Sequence, residues 1–281
     1  MSKKNSDGKR SARDRMQAER VRRQAADKRK RALIIGGSVV AVLAVAATIG
    51  IVVGNNKSES NNSSWSSAAS QPLKAPAGVN GTVISYGSNP NAPVMTVYED
   101  FRCPICDQVE GKLGGTIQQM ADAGTIRVDY HIASFLDRNL GGNGSKYAAN
   151  AAACAVDAGK FKQYHDVLYA NQPNETSDKF GNKAYLLELA NQVDGLRSPT
   201  FDACVNNLTY APWVKASQED FNNAKVGDQQ VTGTPTIAMN NKKLDYVSAD
   251  KKSIMAPDVF KAQVEQIIAG MNAAPSATPA P

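Results

Sequence analysis

Two short segments, far apart in the chain, constrain its fold more than anything else. Cys103-Pro104-Ile105-Cys106 sets two thiols two residues apart, and Gly233-Thr234-Pro235-Thr236 opens a later apolar run. A C-x-x-C pair closes a small, strained disulfide, and strained bridges are the reactive ones. A proline at the mouth of a strand is a common place for a cis peptide bond. A fold that brings these two segments together has the parts of a thiol–disulfide exchange site.

Composition says where such a site is held. Residues 1–31 carry thirteen Lys/Arg against four Asp/Glu, a net charge of +9. Residues 32–54 carry no charge, and residues 55–281 carry nineteen Lys/Arg against twenty-two Asp/Glu, a net of −3. As a helix the uncharged stretch would be roughly 34 Å long, enough to cross a hydrocarbon core. The positive-inside rule then puts the N-terminus in the cytoplasm and residue 55 onward outside. Ala44-Val45-Ala46 offers a signal-peptide cleavage site. The apolar run continues past it through Ile49, Ile51, Val52 and Val53, which favours an uncleaved single-pass anchor in the cell membrane. The basic tail reads as a topology determinant on anionic lipid, with no nucleic-acid partner expected. All four cysteines follow the apolar stretch, in a compartment that permits disulfides.

Beyond it, residues 55–78 are Asn/Ser-rich and then Ala/Pro-rich, the composition of a flexible linker. Residues 272–281 read as a disordered tail, which leaves 79–271 as the folded domain. Val94 to Tyr98 is a strand leading directly into Cys103, and 104–123 follows as a helix with Pro104 in its first turn. Gly111, Gly114 and Gly115 weaken that helix. Ile126 to Ile132 alternates as a second strand. Residues 144–224 lack strand patterning, and 146–158, 160–171 and 183–193 read as helices. Thr236 to Met239, Asn240-Asn241 and Lys243 to Tyr246 read as a hairpin. A final helix over 257–270 sets Val259, Phe260, Val264, Ile267 and Ile268 on one side.

The start of a helix suits this chemistry. Its partial positive charge and unpaired N–H groups favour thiolate at Cys103, making it the expected nucleophile. Cys106, one turn inward, is placed to resolve a mixed disulfide. Half of a zinc site is the rival reading, but Cys154 and Cys204 are isolated and the chain has only His131 and His165. No metal and no other cofactor is expected.

The stretch VMTVYEDFRCPICDQVE, from Val94 to Glu110, resembles the active-site region of DsbA-like disulfide oxidoreductases of the thioredoxin superfamily. VTGTPTIAM, from Val231 to Met239, resembles that family's cis-proline segment, and residues 148–172 resemble its helical insertion. The resemblance implies an α/β thioredoxin-like fold with a helical insertion over about 138–225. It implies a cis Pro235 facing the Cys103–Cys106 pair, and Thr234 offering its backbone to an extended substrate peptide. The departures are informative. The best-known members carry Pro-His between the cysteines where this chain has Pro104-Ile105, which would make a less oxidising couple. Many thioredoxin-fold proteins bury an acid six residues before the first cysteine, where this chain has Val97. Glu99, two residues further, either replaces it as a proton relay or is an exposed strand-end carboxylate; Asp100 is expected to be solvated.

In an exported domain the remaining Cys154 and Cys204 are expected to pair, as DsbA-like proteins of actinobacteria resemble; two buried free thiols are the alternative. His131 and His165 read as packing residues. Three functions stay open. The first is an anchored enzyme that forms disulfides in exported proteins with free thiols. It would be reoxidised by a quinone-linked membrane protein of the DsbB or vitamin K epoxide reductase type. The second is an extracytoplasmic reductase or isomerase of the same fold. The third is a non-catalytic tethered binding or chaperone module.

Overall fold

The structure is a computed structural model that describes residues 62–273. The basic tail 1–31, the apolar stretch 32–54, residues 55–61 and residues 274–281 lie outside the described residues. Among the described residues no helix is long and apolar enough to cross a membrane.

A five-stranded sheet organises the domain. Its strands are β1 (Ile84–Tyr86), β2 (Val94–Glu99), β3 (Arg127–Ile132), β6 (Thr236–Met239) and β7 (Lys242–Lys243), in spatial order β1-β3-β2-β6-β7. β2 and β3 run parallel, from Val94 opposite Arg127 to Glu99 opposite Ile132; the other pairs are antiparallel. β3 alternates as its sequence does, with Val128, Tyr130 and Ile132 inside. β2 buries Met95 and Val97 on one face and Tyr98 on the other, since both faces of this central strand are covered. A separate two-stranded ribbon pairs β4 (Lys225–Val226) with β5 (Gln229–Gln230).

After β2 the chain enters α2 (Pro104–Val109), passes through a π-helical turn (Glu110–Gly114) and continues as α3 (Gly115–Asp122). The single helix expected over 104–123 is therefore continuous but locally widened at its glycines. A Cβ at Gly114 would meet the Glu110 carboxylate at 2.6 Å, so glycine there makes room for that side chain.

Helices interrupt the sheet between β3 and β6. They are α4 (Leu136–Leu140), α5 (Gly144–Asp157), α6 (Phe161–Ala170), α7 (Lys183–Ala190), α8 (Pro199–Asn206) and α9 (Ala211–Asn223). α5 is buried nearly all round because its inward positions are alanines, which let neighbouring helices approach closely. A disulfide of S–S 2.07 Å between Cys154 and Cys204 ties α5 to α8.

Three expectations are corrected. The stretch read as a linker contains α1 (Asn62–Ala69), where Trp65 is buried, 6.1 Å from the Tyr147 ring and under the Lys146 ammonium. One aromatic residue in a Ser/Asn-rich segment is too little periodicity to reveal a helix, yet its area is enough to dock one. The hairpin turn holds Asn240 and Asn241 at φ 51° and 58°, but the returning strand is only Lys242–Lys243. In the last helix, α10 (Pro257–Ala273), Phe260 and Val264 are fully buried while Val259 is 52% exposed. The stripe at 260, 264, 267 and 268 follows the helical period and leaves 259 at its edge. The short loop 247–253 is tied internally: Ser248 N donates to the Ser253 carbonyl at 2.9 Å and Lys251 N to the Ser248 carbonyl at 2.8 Å.

Candidate active site

β2 ends at Glu99, and the turn Asp100-Phe101-Arg102 delivers Cys103 to the N-cap of α2. This turn is built from buried charge. Asp100 is fully buried rather than solvated; its carboxylate accepts from Arg102 N at 2.9 Å, Ser145 Oγ at 2.7 Å and Leu136 N at 3.2 Å. Burial pushes its carboxyl up to about 7, against those hydrogen bonds. The buried Arg102 guanidinium reaches Asp137 at 2.8 Å and the carbonyls of Gly141 and Glu175 at 2.7 and 3.2 Å. Gln172 donates to the carbonyls of Phe101 and Cys103 at 2.9 and 3.0 Å. The helical insertion thus holds the turn from three sides, which no local sequence pattern announces.

Cys103 and Cys106 are free thiols, 7% and 1% exposed. The Thr234–Pro235 peptide is cis, and Cys103 Sγ donates to the Thr234 carbonyl at 3.3 Å. Fold therefore brings together the two segments that sequence singled out. The two sulfurs differ in kind. The Cys106 thiol, hydrogen-bonded to Cys103, holds Cys103 below the usual thiol range, while burial opposes it and Thr234 adds a smaller pull. Cys106 is pushed well above that range by burial, by its bond to Cys103 and by the charges of Cys103 and Glu99. A neighbouring thiol, and not the helix end alone, tunes Cys103.

Glu99 is buried, and its Oε1 lies 2.8 Å from His165 Nε2. His165, completely buried on α6, also reaches Asp166 through Nδ1 at 3.2 Å. Burial works against an imidazolium here, but the Glu99 charge and the bonds to Asp166 and Glu99 carry His165 up to about 9. The half-buried Glu110 is pushed up to about 7 by burial, with the Glu99 charge adding and His165 opposing. Glu99, Glu110 and His165 have ligating atoms within 4.8 Å of one another. The Nε2–Oε1 hydrogen bond already engages two of the atoms a cation would need, and the arrangement is that of a buried ion pair.

His165 was legible only as a packing residue, amid Phe161, Tyr164, Leu168 and Tyr169 on one helix face. A buried histidine needs partners, and that is the signal that could have marked it. Gln172 carried no signal. His131 lies against the Tyr98 ring at 4.6 Å, on the sheet face away from the thiols. Tyr246, partly buried, is pushed up to about 12 by burial and by the charges of Cys106 and Cys103.

The fold and this dithiol site define a thioredoxin-type redox protein. The Thioredoxin family profile matches residues 79–256, and the chain belongs to that family. No curated protein sequence matches it. Among solved structures, oxidised DsbA from Mycobacterium tuberculosis is 26% identical, with a TM-score of 0.54 over 66% of this chain and 92% of its own. Reduced DsbG, a disulfide bond oxidoreductase of the same organism, is 25% identical with a TM-score of 0.51 over 74% and 92%. BdbD from Bacillus subtilis, at 20% identity and a TM-score of 0.54 over 70% and 98%, shares the fold. The chain is a protein thiol–disulfide oxidoreductase of DsbA type.

Proposed function

We propose that this oxidoreductase donates the Cys103–Cys106 disulfide to exported proteins, working outside the cytoplasm on an anchor formed by residues 32–54. The asymmetry of the two thiols carries the reading: Cys103 is held low and Cys106 well up. A stabilised thiolate favours the reduced form, which makes the disulfide a better oxidant.

A substrate thiolate attacks Cys103 Sγ, forming a mixed disulfide and expelling Cys106, which takes up a proton. A second substrate thiolate then attacks the substrate sulfur of that bond, closing the substrate disulfide and releasing Cys103 as thiolate. The substrate loses two electrons and the protein gains them. Thr234 and cis Pro235 shape the groove for an extended peptide, and Glu99 relays the proton of Cys106. Reoxidation falls to a quinone-linked membrane protein of the DsbB or vitamin K epoxide reductase type.

The reduction potential tests direction. It is measured on the full-length chain in glutathione buffers, with Cys154→Ser/Cys204→Ser isolating the active pair. A value near the about −120 mV of DsbA supports donation; one near the about −270 mV of thioredoxin overturns it in favour of a reductase.

A further inference from the structure

We infer that His165 carries protons between the floor of the thiol site and solvent, linking Glu99 to Asp166; this rests on the exchange reaction proposed above. The three side chains form one hydrogen-bonded line, 2.8 Å from Glu99 Oε1 to Nε2 and 3.2 Å from Nδ1 to Asp166 Oδ1. Its inner end is sealed, with the Glu99 side chain 1% and that of His165 0% exposed, whereas that of Asp166 is 44% exposed. An imidazole accepts a proton at one ring nitrogen and releases it from the other, so it can span a wall that water does not cross.

The reaction needs such a path. Cys106 is 1% exposed and held as a thiol, yet it must ionise to attack and be reprotonated when it leaves. Glu99 is the carboxylate whose charge Cys106 feels. The titratable groups around His165 come from every packed element: Glu99 on β2, Tyr130 on β3, Glu110 on the π-helical turn, and Lys162, Asp166 and Tyr169 on α6. Lys162 is ion-paired with Asp166 and fixes the outer carboxylate facing Nδ1.

In the resolving step the Cys106 proton passes to Glu99. With Glu99 neutralised, the imidazolium loses the charge that held its proton and releases the Nδ1 proton on its Asp166 side to water. The Cys106 thiolate attacks Cys103 Sγ, the Cys103–Cys106 bond forms, and the bound partner leaves as a thiolate that takes a proton from solvent. When the disulfide is donated, the proton runs inward along the same line. His165 acts through Glu99 and is a positioning residue for proton transfer, not a group that touches substrate.

The test separates the two chemical steps. The reduced full-length chain is mixed with oxidised glutathione, and the Cys103–glutathione disulfide is followed by acid quench and mass spectrometry. His165→Gln and Asp166→Asn are each expected to slow resolution by Cys106 on the order of tenfold or more near neutral pH, while mixed-disulfide formation keeps its rate. Added imidazole is expected to speed His165→Gln back toward the unmodified rate. Unchanged resolution in Asp166→Asn overturns the inference, as does equal slowing of both steps, which marks a merely structural role. If His165→Gln does not fold, Asp166→Asn alone decides. Failure of the unmodified chain to form any mixed disulfide at Cys103 overturns the proposed exchange reaction itself.

Discussion

His165 Nε2 meets Glu99 Oε1 at 2.8 Å, and both side chains are almost completely shut off from solvent. A helix of the insertion and the central strand of the sheet are joined there by a buried ion pair, and the charge of Glu99 is felt at Cys106. Buried charges of this kind are stable only when paired, so the pair makes the protein's stability depend on pH.

That dependence has a definite sign. Burial opposes the His165 charge, but Glu99 and Asp166 lift it to about 9 from an unfolded value of about 6.5. The folded state binds the extra proton, so this contribution is fully present below about pH 6.5 and lost as pH rises through about 9. Asp100 and Glu110, raised by burial to about 7, act in the same direction between about pH 4 and that value. Urea unfolding in a Cys103→Ser/Cys106→Ser background, which removes thiol titration, is expected to show stability falling from pH 6.5 to 9. The fall should be much reduced in His165→Gln. A parallel fall in both proteins would remove His165 as its cause.

Alkylation should distinguish the thiols. In the reduced chain Cys103 is expected to react with iodoacetamide at neutral pH while Cys106 stays unmodified, because only Cys103 is held below the usual thiol range. Since the Cys106 thiol is the largest cause of that lowering, Cys106→Ala should move the Cys103 midpoint upward. A midpoint that stays in place would shift the credit to the helix end.

The Cys154–Cys204 bridge closes a loop at a sequence separation of 50 and contributes about 4 kcal/mol by chain entropy. Cys154→Ser/Cys204→Ser should lower unfolding stability by roughly that amount. The rate of Cys103 alkylation should stay the same, since the bridge ties α5 to α8 and touches neither thiol.

Trp65 is the buried anchor of α1. Trp65→Ala is expected to cost about 3 kcal/mol and to open α1 to hydrogen exchange ahead of the sheet. Protection that survives the substitution would mean the helix is held by something other than this ring.

Much of the sheet was legible because its strands obey local rules. β2 and β3 carry β-branched and aromatic residues in period, and the cysteine pair sits where a strand hands over to a helix. The proline segment could be matched to the cysteines by its residues alone, since few chemistries need both. The Ala-rich α5 was readable as a helix, although alanines do not say which face is covered.

The sequence by itself determined the strands β2, β3 and β6 and the longer helices α5, α6 and α10, the redox pair and the Thr-Pro-Thr partner, because helix, strand and C-x-x-C chemistry depend on near neighbours. Tertiary structure alone decided that Asp100 is buried and tied to Ser145 and Leu136, and that Gln172 steadies the Cys103 carbonyl. It also decided that Glu99 ends against His165 and not in water. Those outcomes rest on pairs 36 to 69 residues apart. The environment of a polar side chain is set by whatever the fold packs over it, and that is not encoded in the spacing of the residues beside it.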